Sequence, residues 1–271
     1  MCALLNLSRS GFYAWQNHRR SIRSQENEIL LQEIKRIYGE GRGEYGSPTI
    51  YEALRQEGHR VNHKRIVRLM RKNGIRSKLG RRFVRTTKPC KARDASPNLL
   101  QQQFYTDKPN TVWLSDITYV DTGEGWLYLT TVEDMCTRVV VGHSMTDHLR
   151  ATAVLEALQM ALGRRSVNRG LIFHSDRGKQ YADHRVRALM VKHGIIQSMS
   201  STGNCYDNAM AESLFATMKK GHVFWQRFQT REEARRILFE YLEVFYNRVR
   251  RHSSLGYKSP AAFEQQLNLL A

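Results

Sequence analysis

The sequence predicts an α/β domain with a mixed five-stranded sheet and flanking helices, preceded by an all-α domain. Strand-like segments rich in β-branched and aromatic residues alternate with amphipathic helical segments after residue 110. Before that point, short helical segments carry basic residues and end at glycines. Charge divides the chain in the same way: residues 1–110 hold 23 Lys and Arg against 9 Asp and Glu, whereas residues 111–271 hold 20 against 16.

Composition limits the class of protein. With 271 residues, 41% of them hydrophobic, the chain is long enough for one large or two smaller globular domains. It has no run of 18 apolar residues and its opening lacks a secretory pattern, so we expect a cytoplasmic protein without a membrane span. Four scattered cysteines form no CxxC pair, so neither disulfides nor a structural zinc site is expected.

Helices are predicted throughout the basic half. The first covers residues 25–39, where apolar residues recur at helical spacing. They are Leu30, Ile34, Ile37 and Tyr38, with Ile29 and Leu31 widening the stripe. The second follows a Gly-rich break, with Ser47 as its N-cap and Pro48 in its first turn. The third begins at Asn62 and ends at Gly74.

The third helix has a basic outer face, opposite Ile66, Leu69 and Met70. This face consists of Lys64, Arg65, Arg68, Arg71 and Lys72. Three short helices with a basic last one predict a helix-turn-helix, whose last helix enters the major groove of DNA. A solvated basic helix in an ordinary bundle is the alternative. We therefore expect a DNA-binding region over residues 1–78 and a linker over residues 79–110, which are polar, basic and contain three prolines.

Residues 111–271 are predicted to form the α/β domain. Three strand-like segments come first, "TVWLSDITYV", "WLYLTTVED" and "RVVVGHSM", separated by turns. They are followed by the helix "ATAVLEALQMALGRR", the strand "GLIFHSD", the helix "ADHRVRALMVKHG" and the strand "IIQSMS". A last helix begins near Ala209. This order, a meander followed by alternating helices and strands, is typical of an α/β fold.

Three acids stand out in this domain. Asp116 lies inside the first strand, Asp176 ends the fourth, and Glu212 lies on the last helix. If strands one and four are neighbours and the helix packs across them, the carboxylates converge. Oxygen-only sites of this kind suit Mg²⁺ or Mn²⁺ and phosphoryl transfer. The alternative treats each acid as a separate structural carboxylate. Lys219 follows Glu212 by two turns, about 10 Å along the same flank.

Together these residues resemble the DDE transposases and retroviral integrases. Between Asp176 and Glu212 lie 35 residues, and the surrounding words are "PNLL", "PNTVWLSDITY", "HSDRGKQY", "GNCYDNAMAES" and "YNRVRRHSSLGYKSPAAF". These words resemble the second-frame product of two-frame bacterial insertion sequences, over residues 40–264. The resemblance implies an RNase H-like catalytic core, which the predicted strand order also fits.

The resemblance also implies roles for particular residues. Asp116, Asp176 and Glu212 would be catalytic and would hold two Mg²⁺ or Mn²⁺ ions, with Asp116 bridging them. DNA contacts would come from Lys219, Arg177, Lys179 and Asn208. Lys179 stands where the family often has Ser, and Asn208 belongs to the "GN..DNA" turn, which more often shapes the site.

The function implied is that of an insertion-sequence transposase. It would cut at the element's ends and join the freed 3′-hydroxyl to target DNA. Its partners would be double-stranded DNA at terminal inverted repeats and target sites, further copies of itself, and an upstream-frame helix-turn-helix protein as partner or fusion. It would act in the bacterial cytoplasm, on the nucleoid. The alternative is a non-catalytic, sequence-specific DNA-binding regulator, which three intact acids disfavour.

Overall fold

The computed structural model describes residues 8–16, 21–80, 96–100, 105–201 and 209–270. They divide into two compact units. The first comprises the described residues up to Glu40 together with Tyr45–Arg76; the second comprises Gly41–Glu44 and the described residues from Ser77 onward. No helix within these ranges is long and apolar enough to cross a membrane.

The first unit is all-α. Its helices are α1 (Arg9–Gln16), α2 (Ile22–Glu40), α3 (Ser47–Gln56) and α4 (His63–Lys72). The core of this unit takes Leu30, Ile34 and Ile37 from α2, as predicted, and packs them against apolar residues of α3 and α4. Ile29 is 63% exposed, so the wider stripe expected on α2 was wrong at that position. Neighbouring helices cover a narrower strip of α2 than its apolar sequence would allow.

The ends of α3 and α4 differ in how they are capped. Asn62 caps α4 as predicted, since its side chain accepts a 2.8 Å hydrogen bond from the Lys64 N–H. The expected N-cap of α3 was wrong by one residue: Gly46 occupies that position and Ser47 is already helical. The Ser47 hydroxyl instead lies 3.2 Å from Nε2 of His63, the first residue of α4.

The second unit is built on a five-stranded sheet. Its strands are β1 (Val112–Val120), β2 (Leu127–Asp134), β3 (Val140–Thr146), β4 (Ile172–Ser175) and β5 (Ile196–Met199). They lie in the order β3-β2-β1-β4-β5. The strand β2 is antiparallel to its neighbours β3 and β1, whereas β4 is parallel to its neighbours β1 and β5. Along the chain, α5 (Ala151–Arg164) and α6 (His184–Lys192) lie between strands, and α7 (Ala209–Gly221) follows β5. This arrangement confirms the predicted α/β class and element order.

Helices cover both faces of the sheet. On one face, Trp113 and Phe173 pack with apolar residues of α5 and α6. On the other, Val120 and Leu129 pack with Leu214 and Phe215 of α7. Also on this second side are α8 (Arg231–Glu240) and a π-helical stretch, Tyr241–Val249; α9 (Pro260–Leu270) ends the described chain. The first four residues of β1 are therefore buried on both faces, and polar groups there require partners.

Segment 96–100, part of the predicted linker, runs beside β5. The Leu99 N–H donates to the Ser198 hydroxyl at 3.0 Å, and the Pro97 carbonyl accepts the Met199 N–H at 3.3 Å. Leu100 is buried in a small cluster with residues of β1 and α7. These residues therefore cover the edge of the sheet at β5.

A buried ion pair joins two distant parts of the second unit. The Glu44 carboxylate accepts a hydrogen bond from Arg250 Nε at 2.9 Å, and Glu44 is only 3% exposed. Burial raises the pKa of Glu44, whereas Arg250 and Tyr241 lower it. An added Cβ on Gly221, at the end of α7, would lie 2.2 Å from Glu44 Oε1. The segment Gly41–Glu44 is thus tightly packed against the end of α7.

Candidate active site

Strand register places two of the three acids side by side. The strands β1 and β4 are parallel and paired up to Ser115 opposite Ser175. Asp116 and Asp176 are the next residues on the two chains, and neighbouring strands lie about 4.8 Å apart. Asp116 continues in β1, whereas Asp176 begins the loop after β4. The condition set by the sequence, that strands one and four are neighbours, is therefore met.

Each aspartate is oriented by a backbone N–H. Asp116 Oδ1 accepts a hydrogen bond from Ile117 at 2.8 Å, and Asp176 Oδ1 accepts one from Gly178 at 2.9 Å. Each carboxylate has a second oxygen, which can ligate a cation. The backbone thus orients each carboxylate through one oxygen and leaves the other oxygen able to bind a cation.

The third acid is carried by α7, which packs against β1. Met210 and Ala211 are buried beside Val112 and Leu114, so the first turn of the helix is anchored to the strand. Glu212 follows them and is exposed. Two turns later, Lys219 Nζ lies 4.7 Å from the centre of the Tyr119 ring. The helix therefore presents an acid near the aspartates and a cation further along.

Burial and neighbouring charges both act on the ionisable groups of the site. Burial and the neighbouring charge of Asp176 raise the pKa of Asp116 to about 8, and Glu212 adds to the rise. The Ile117 N–H and the Lys219 ammonium act in the opposite direction. Burial also raises the pKa of Asp176 and lowers that of Lys219. Negative charge is therefore in excess at this site, and a bound cation would relieve it.

The donor set fits divalent cations that prefer oxygen. Three carboxylates with no histidine or cysteine suit Mg²⁺ or Mn²⁺. Within the described ranges, Glu33, Glu57 and His59 of the first unit are the one group of three possible ligands whose atoms all lie within 4.8 Å of one another. The Arg36 guanidinium already donates to both of these glutamates, so that cluster is neutralised. The possible ligand atoms of Asp116, Asp176 and Glu212 therefore do not all lie within 4.8 Å of one another.

A buried tyrosine contacts the residue that precedes Asp116 on β1. The Tyr181 hydroxyl lies 3.0 Å from the Ser115 hydroxyl, and both residues are buried. Burial and the charges of Asp176 and Asp116 hold the pKa of Tyr181 well above its ordinary value. Tyr181 therefore remains neutral and rigidly positions the strand segment that precedes Asp116.

The predicted DNA-contacting residues near the acids have different surroundings. Arg177 is half-buried and its Nε donates to the Ser200 carbonyl at 2.6 Å, which holds the loop after β4 against β5. Lys179, in the same loop, is exposed. Asn208 lies outside the described residues. Of the two described residues, Lys179 is the more exposed to solvent.

The basic face of α4 is mostly open to solvent. Lys64, Arg68, Arg71 and Lys72 are exposed. Arg65 is half-buried instead, pairing with Glu26 at 3.0 Å and donating to Asn27 at 2.8 Å. Arg65 therefore supports the packing of α4 on α2, and the other four residues form the exposed cationic surface.

The basic C-terminal tail has structural partners. The Asn247 side chain accepts the Val140 N–H at 2.9 Å and donates to the Val140 carbonyl at 3.1 Å, so it acts as a strand partner for the edge of the sheet. Arg250 is paired with Glu44. Asn247 and Arg250 therefore hold this segment against the rest of the second unit.

Sequence reasoning missed two features near the site. Tyr181 stands five residues after Asp176, but nothing in its local pattern signals a contact with Ser115. Tyr119 and Trp126 are both about half exposed next to Lys219. The signal for them was present, since aromatic residues beside a turn in a basic protein are candidates for binding bases.

The fold and the three acids define a class, the polynucleotidyl transferases with an integrase core, and comparison with known proteins agrees. Residues 106–205 match the family "Integrase core domain", and residues 193–260 match a second family of the same description. Residues 24–83 match the family "HTH-like domain".

Full-length relatives identify the family. The chain is 41% identical over 271 residues to an uncharacterized 31 kDa protein of insertion element IS600 from Shigella sonnei, covering 100% of both chains. It is 39% identical over 268 residues to transposase InsF for insertion sequence IS3A from Escherichia coli strain K12, covering 98% of this chain and 93% of that one. The chain belongs to the family of the InsF transposases and is an insertion-sequence transposase of the DDE type.

Solved structures show more distant likeness. The intasome of simian T-cell lymphotropic virus is 12% identical, with a TM-score of 0.47, over 76% of this chain and 67% of that one. The catalytic core of HTLV-2 integrase in complex with magnesium is also 12% identical, with a TM-score of 0.44, over 57% of this chain and 96% of that one.

Proposed function

We propose that this transposase cuts DNA at the ends of its element and joins the freed 3′-hydroxyl to target DNA at the site formed by Asp116, Asp176 and Glu212. The observation that carries the proposal is the register of β1 and β4, which brings Asp116 and Asp176 together where α7 presents Glu212. No nucleophilic side chain is needed, because the attacking oxygen comes from water and then from the DNA strand itself.

The three carboxylates would hold two Mg²⁺ or Mn²⁺ ions, with Asp116 between Asp176 and Glu212. When bound, such ions activate an attacking oxygen and stabilise the leaving oxygen of a phosphodiester. The pKa of Asp116, which burial and the neighbouring charges of Asp176 and Glu212 raise to about 8, supports this assignment. Rigid placement of the aspartates by the Ile117 and Gly178 N–H groups would hold the ligands ready for the cations.

Basic side chains around the acids would hold the DNA strand. Lys219, whose ammonium is attracted by Asp116 and lies 4.7 Å from the centre of the Tyr119 ring, would bind a phosphate near the scissile bond. Lys179 would bind a second phosphate from the loop after β4, with Arg177 holding that loop in place. Asn208 would shape the turn that leads into α7.

The first unit would recognise double-stranded DNA. The exposed residues of α4, Lys64, Arg68, Arg71 and Lys72, form a cationic surface on the last helix of the HTH-like domain, and Arg65 steadies that helix. This helix would enter the major groove at the terminal inverted repeats. Residues 1–78 would thus bind the ends, residues 79–110 would link, and residues 111–271 would carry out the chemistry.

Assembly on DNA follows from the reaction. Two ends must be joined to one target, so several copies would act together, alone or with an upstream-frame helix-turn-helix protein as partner or fusion. The reaction would take place in the bacterial cytoplasm, on the nucleoid.

A strand-transfer assay on the element's own ends, with Mg²⁺ or Mn²⁺, tests the proposal. Asp176→Ala and Glu212→Ala should each abolish joined product, whereas Glu232→Ala, an exposed acid on α8, should match the parent. Joining by either of the first two variants at the parental rate would overturn the assignment. A parent that binds the ends tightly but processes none of them under these conditions would favour the regulator.

A further inference from the structure

Two exposed aromatic rings lie next to Lys219. Tyr119 is 46% exposed and Trp126 is 47% exposed. Their ring centres are 4.9 Å apart and their planes are inclined at 78°, so the edge of one ring meets the face of the other. This geometry leaves ring surface of both residues open to solvent. We call Tyr119 and Trp126 the aromatic platform.

The turn between β1 and β2, which leads to Trp126, is held against the segment that leads into α8. The Gly123 N–H donates to the Phe228 carbonyl at 2.9 Å, and a Cβ on Gly123 would lie 2.5 Å from the Gln229 carbonyl oxygen. Arg231 Nε donates to the Trp126 carbonyl at 3.1 Å. A large exposed side chain on such a fixed backbone loses little conformational freedom when it binds a ligand.

The surroundings of the platform favour a nucleic acid as its ligand. Lys219 Nζ lies 4.7 Å from the centre of the Tyr119 ring, so a phosphate-binding cation and a flat apolar surface adjoin. Tyr119 is three residues beyond Asp116 on the same strand, so the two residues are about 10 Å apart and their side chains leave opposite faces of the strand. Lys219 links them, since its charge acts on Asp116 and its ammonium lies 4.7 Å from the centre of the Tyr119 ring. A base about three nucleotide rises from the phosphate at the acids can therefore reach the platform beside Lys219.

We propose that Tyr119 and Trp126 form a stacking site for one unpaired base of the DNA strand held at the acids. This inference rests on the proposed function, since it presumes that a DNA strand occupies Asp116, Asp176 and Glu212. An aromatic ring can stack on any base, and such stacking is a common way to hold single-stranded DNA. A base inside a duplex is already stacked on its neighbours, so the site selects an unpaired base at a frayed end, an extension or a distorted target.

Fluorescence of 2-aminopurine tests the site, because stacking on an aromatic ring quenches it. The full chain, without divalent ions so that no strand is cut, is mixed with two DNA substrates. One carries 2-aminopurine in a short single-stranded extension of the element's end, and the other carries it at an unpaired position of a target duplex. Quenching on either substrate supports the site and tells which strand supplies the base. Absence of quenching on both overturns it.

Variants separate stacking from charge. Trp126→Ala should abolish the quenching and weaken binding of the extended substrate about tenfold, with binding of the blunt duplex unchanged. Trp126→Phe should retain most of both effects, because it keeps a ring. Phe239→Ala is the matched control, an aromatic residue of similar exposure on α8. If Trp126→Ala weakened binding of the extended substrate and of the blunt duplex equally, the proposal would be overturned.

Salt dependence gives a second readout that a merely structural role would not produce. Stacking displaces no counterions, so Trp126→Ala should leave the slope of log affinity against log salt unchanged, whereas Lys219→Ala should reduce it by about one. The outcome is also independent of the chemistry. If Trp126→Ala loses the quenching but the parent transfers no strands, the platform stands and the proposed reaction is rejected. If the parent transfers strands but shows no quenching on either substrate, the reaction stands and the platform is rejected.

Discussion

Gly142 of β3 and Ala157 of α5 approach so closely that no other residue fits at position 142. A Cβ on Gly142 would lie 2.2 Å from the Ala157 carbonyl oxygen and 2.9 Å from the Ala161 N. Both neighbouring groups are backbone atoms of a helix, so they cannot move aside as a side chain would. The contact sets the distance between α5 and the sheet.

Gly142→Ala should therefore destabilise the second unit by roughly 3 kcal/mol, because the helix must shift away from β3 and loosen the core on that face. Urea unfolding followed by tryptophan fluorescence measures the effect. Gly163→Ala, on α5 itself, is the matched control: its Cβ would meet nothing within 4 Å. Because alanine loses less backbone entropy than glycine when a helix forms, this change should stabilise the unit slightly, by about 0.5–1 kcal/mol. Similar midpoints for the two variants would show that this close contact is not maintained in solution.

A buried glutamate should make stability depend on pH. Glu133 of β2 is 1% exposed, and its Oε2 accepts no hydrogen bond from the residues that the structure describes. Burial raises the pKa of Glu133 to about 7, although Arg138 and Tyr246 lower it. The unfolded chain, with a pKa near 4.3, releases this proton more readily than the folded one. The contribution of Glu133 to stability is therefore present below pH 4 and is lost as pH rises to 7, by roughly 3 kcal/mol.

Glu133→Gln keeps the shape and removes the charge. The variant should match the parent near pH 4.5 and exceed it in stability at pH 8, as measured by unfolding midpoints at both values. Glu232→Gln, at an 83% exposed side chain, should follow the parent at each pH. A constant difference between Glu133→Gln and the parent across this range would contradict the pKa shift.

The exposed face of α4 should account for part of the salt dependence of DNA binding. Replacing Arg68 and Arg71 together by Ala should reduce the slope of log affinity against log salt by about two. Each phosphate contact releases about one counterion from the DNA on binding, and the double variant would make two fewer such contacts. Affinity measured from 50 to 200 mM salt gives the slope. Lys35→Ala, an exposed cation on α2, should leave the slope unchanged. Equal slopes for the parent and the double variant would remove α4 from the DNA interface.

Binding of divalent ions should strengthen with pH. Because the pKa of Asp116 is raised to about 8, the metal-free site holds a proton at pH 7 that an ion must displace. Affinity for Mg²⁺ or Mn²⁺ should therefore rise about tenfold per pH unit from pH 6 to 8 and then level off. Calorimetry in buffers of different ionisation enthalpy should report release of about one proton at pH 7. If Asp116 were already ionised at pH 6, the affinity would instead be independent of pH over that range.

The order of elements was predictable because each has a local signature. The strands are rich in β-branched and aromatic residues, and the helices have apolar residues at helical spacing, so both were recognised from short windows. The three candidate acids stood out for a related reason: a carboxylate within an apolar strand, such as Asp116, is costly unless it has a partner. The family words then linked Asp116 to Asp176 and Glu212.

Features that depend on distant partners were not predictable. Glu44 reads as part of a Gly-rich turn, and its partner Arg250 lies 206 residues further on. The exposure of Ile29 depends on how much of α2 its neighbours cover, which the sequence of the helix does not specify. The sequence of Arg65 and its basic neighbours does not distinguish them, whereas in the folded chain Arg65 donates to Glu26 and Asn27.

The segment Gly41–Glu44 belongs to the second unit, although the chain on both sides of it belongs to the first. A shortened protein that starts at the α/β sequence would lose the Glu44 carboxylate and would keep Arg250 in its interior without that counter-charge. Failure of such a fragment to fold or cut DNA would then reveal nothing about the need for the helical unit. Dissection of this enzyme by truncation requires Arg250 to be replaced by a neutral residue at the same time, or the four missing residues to be restored.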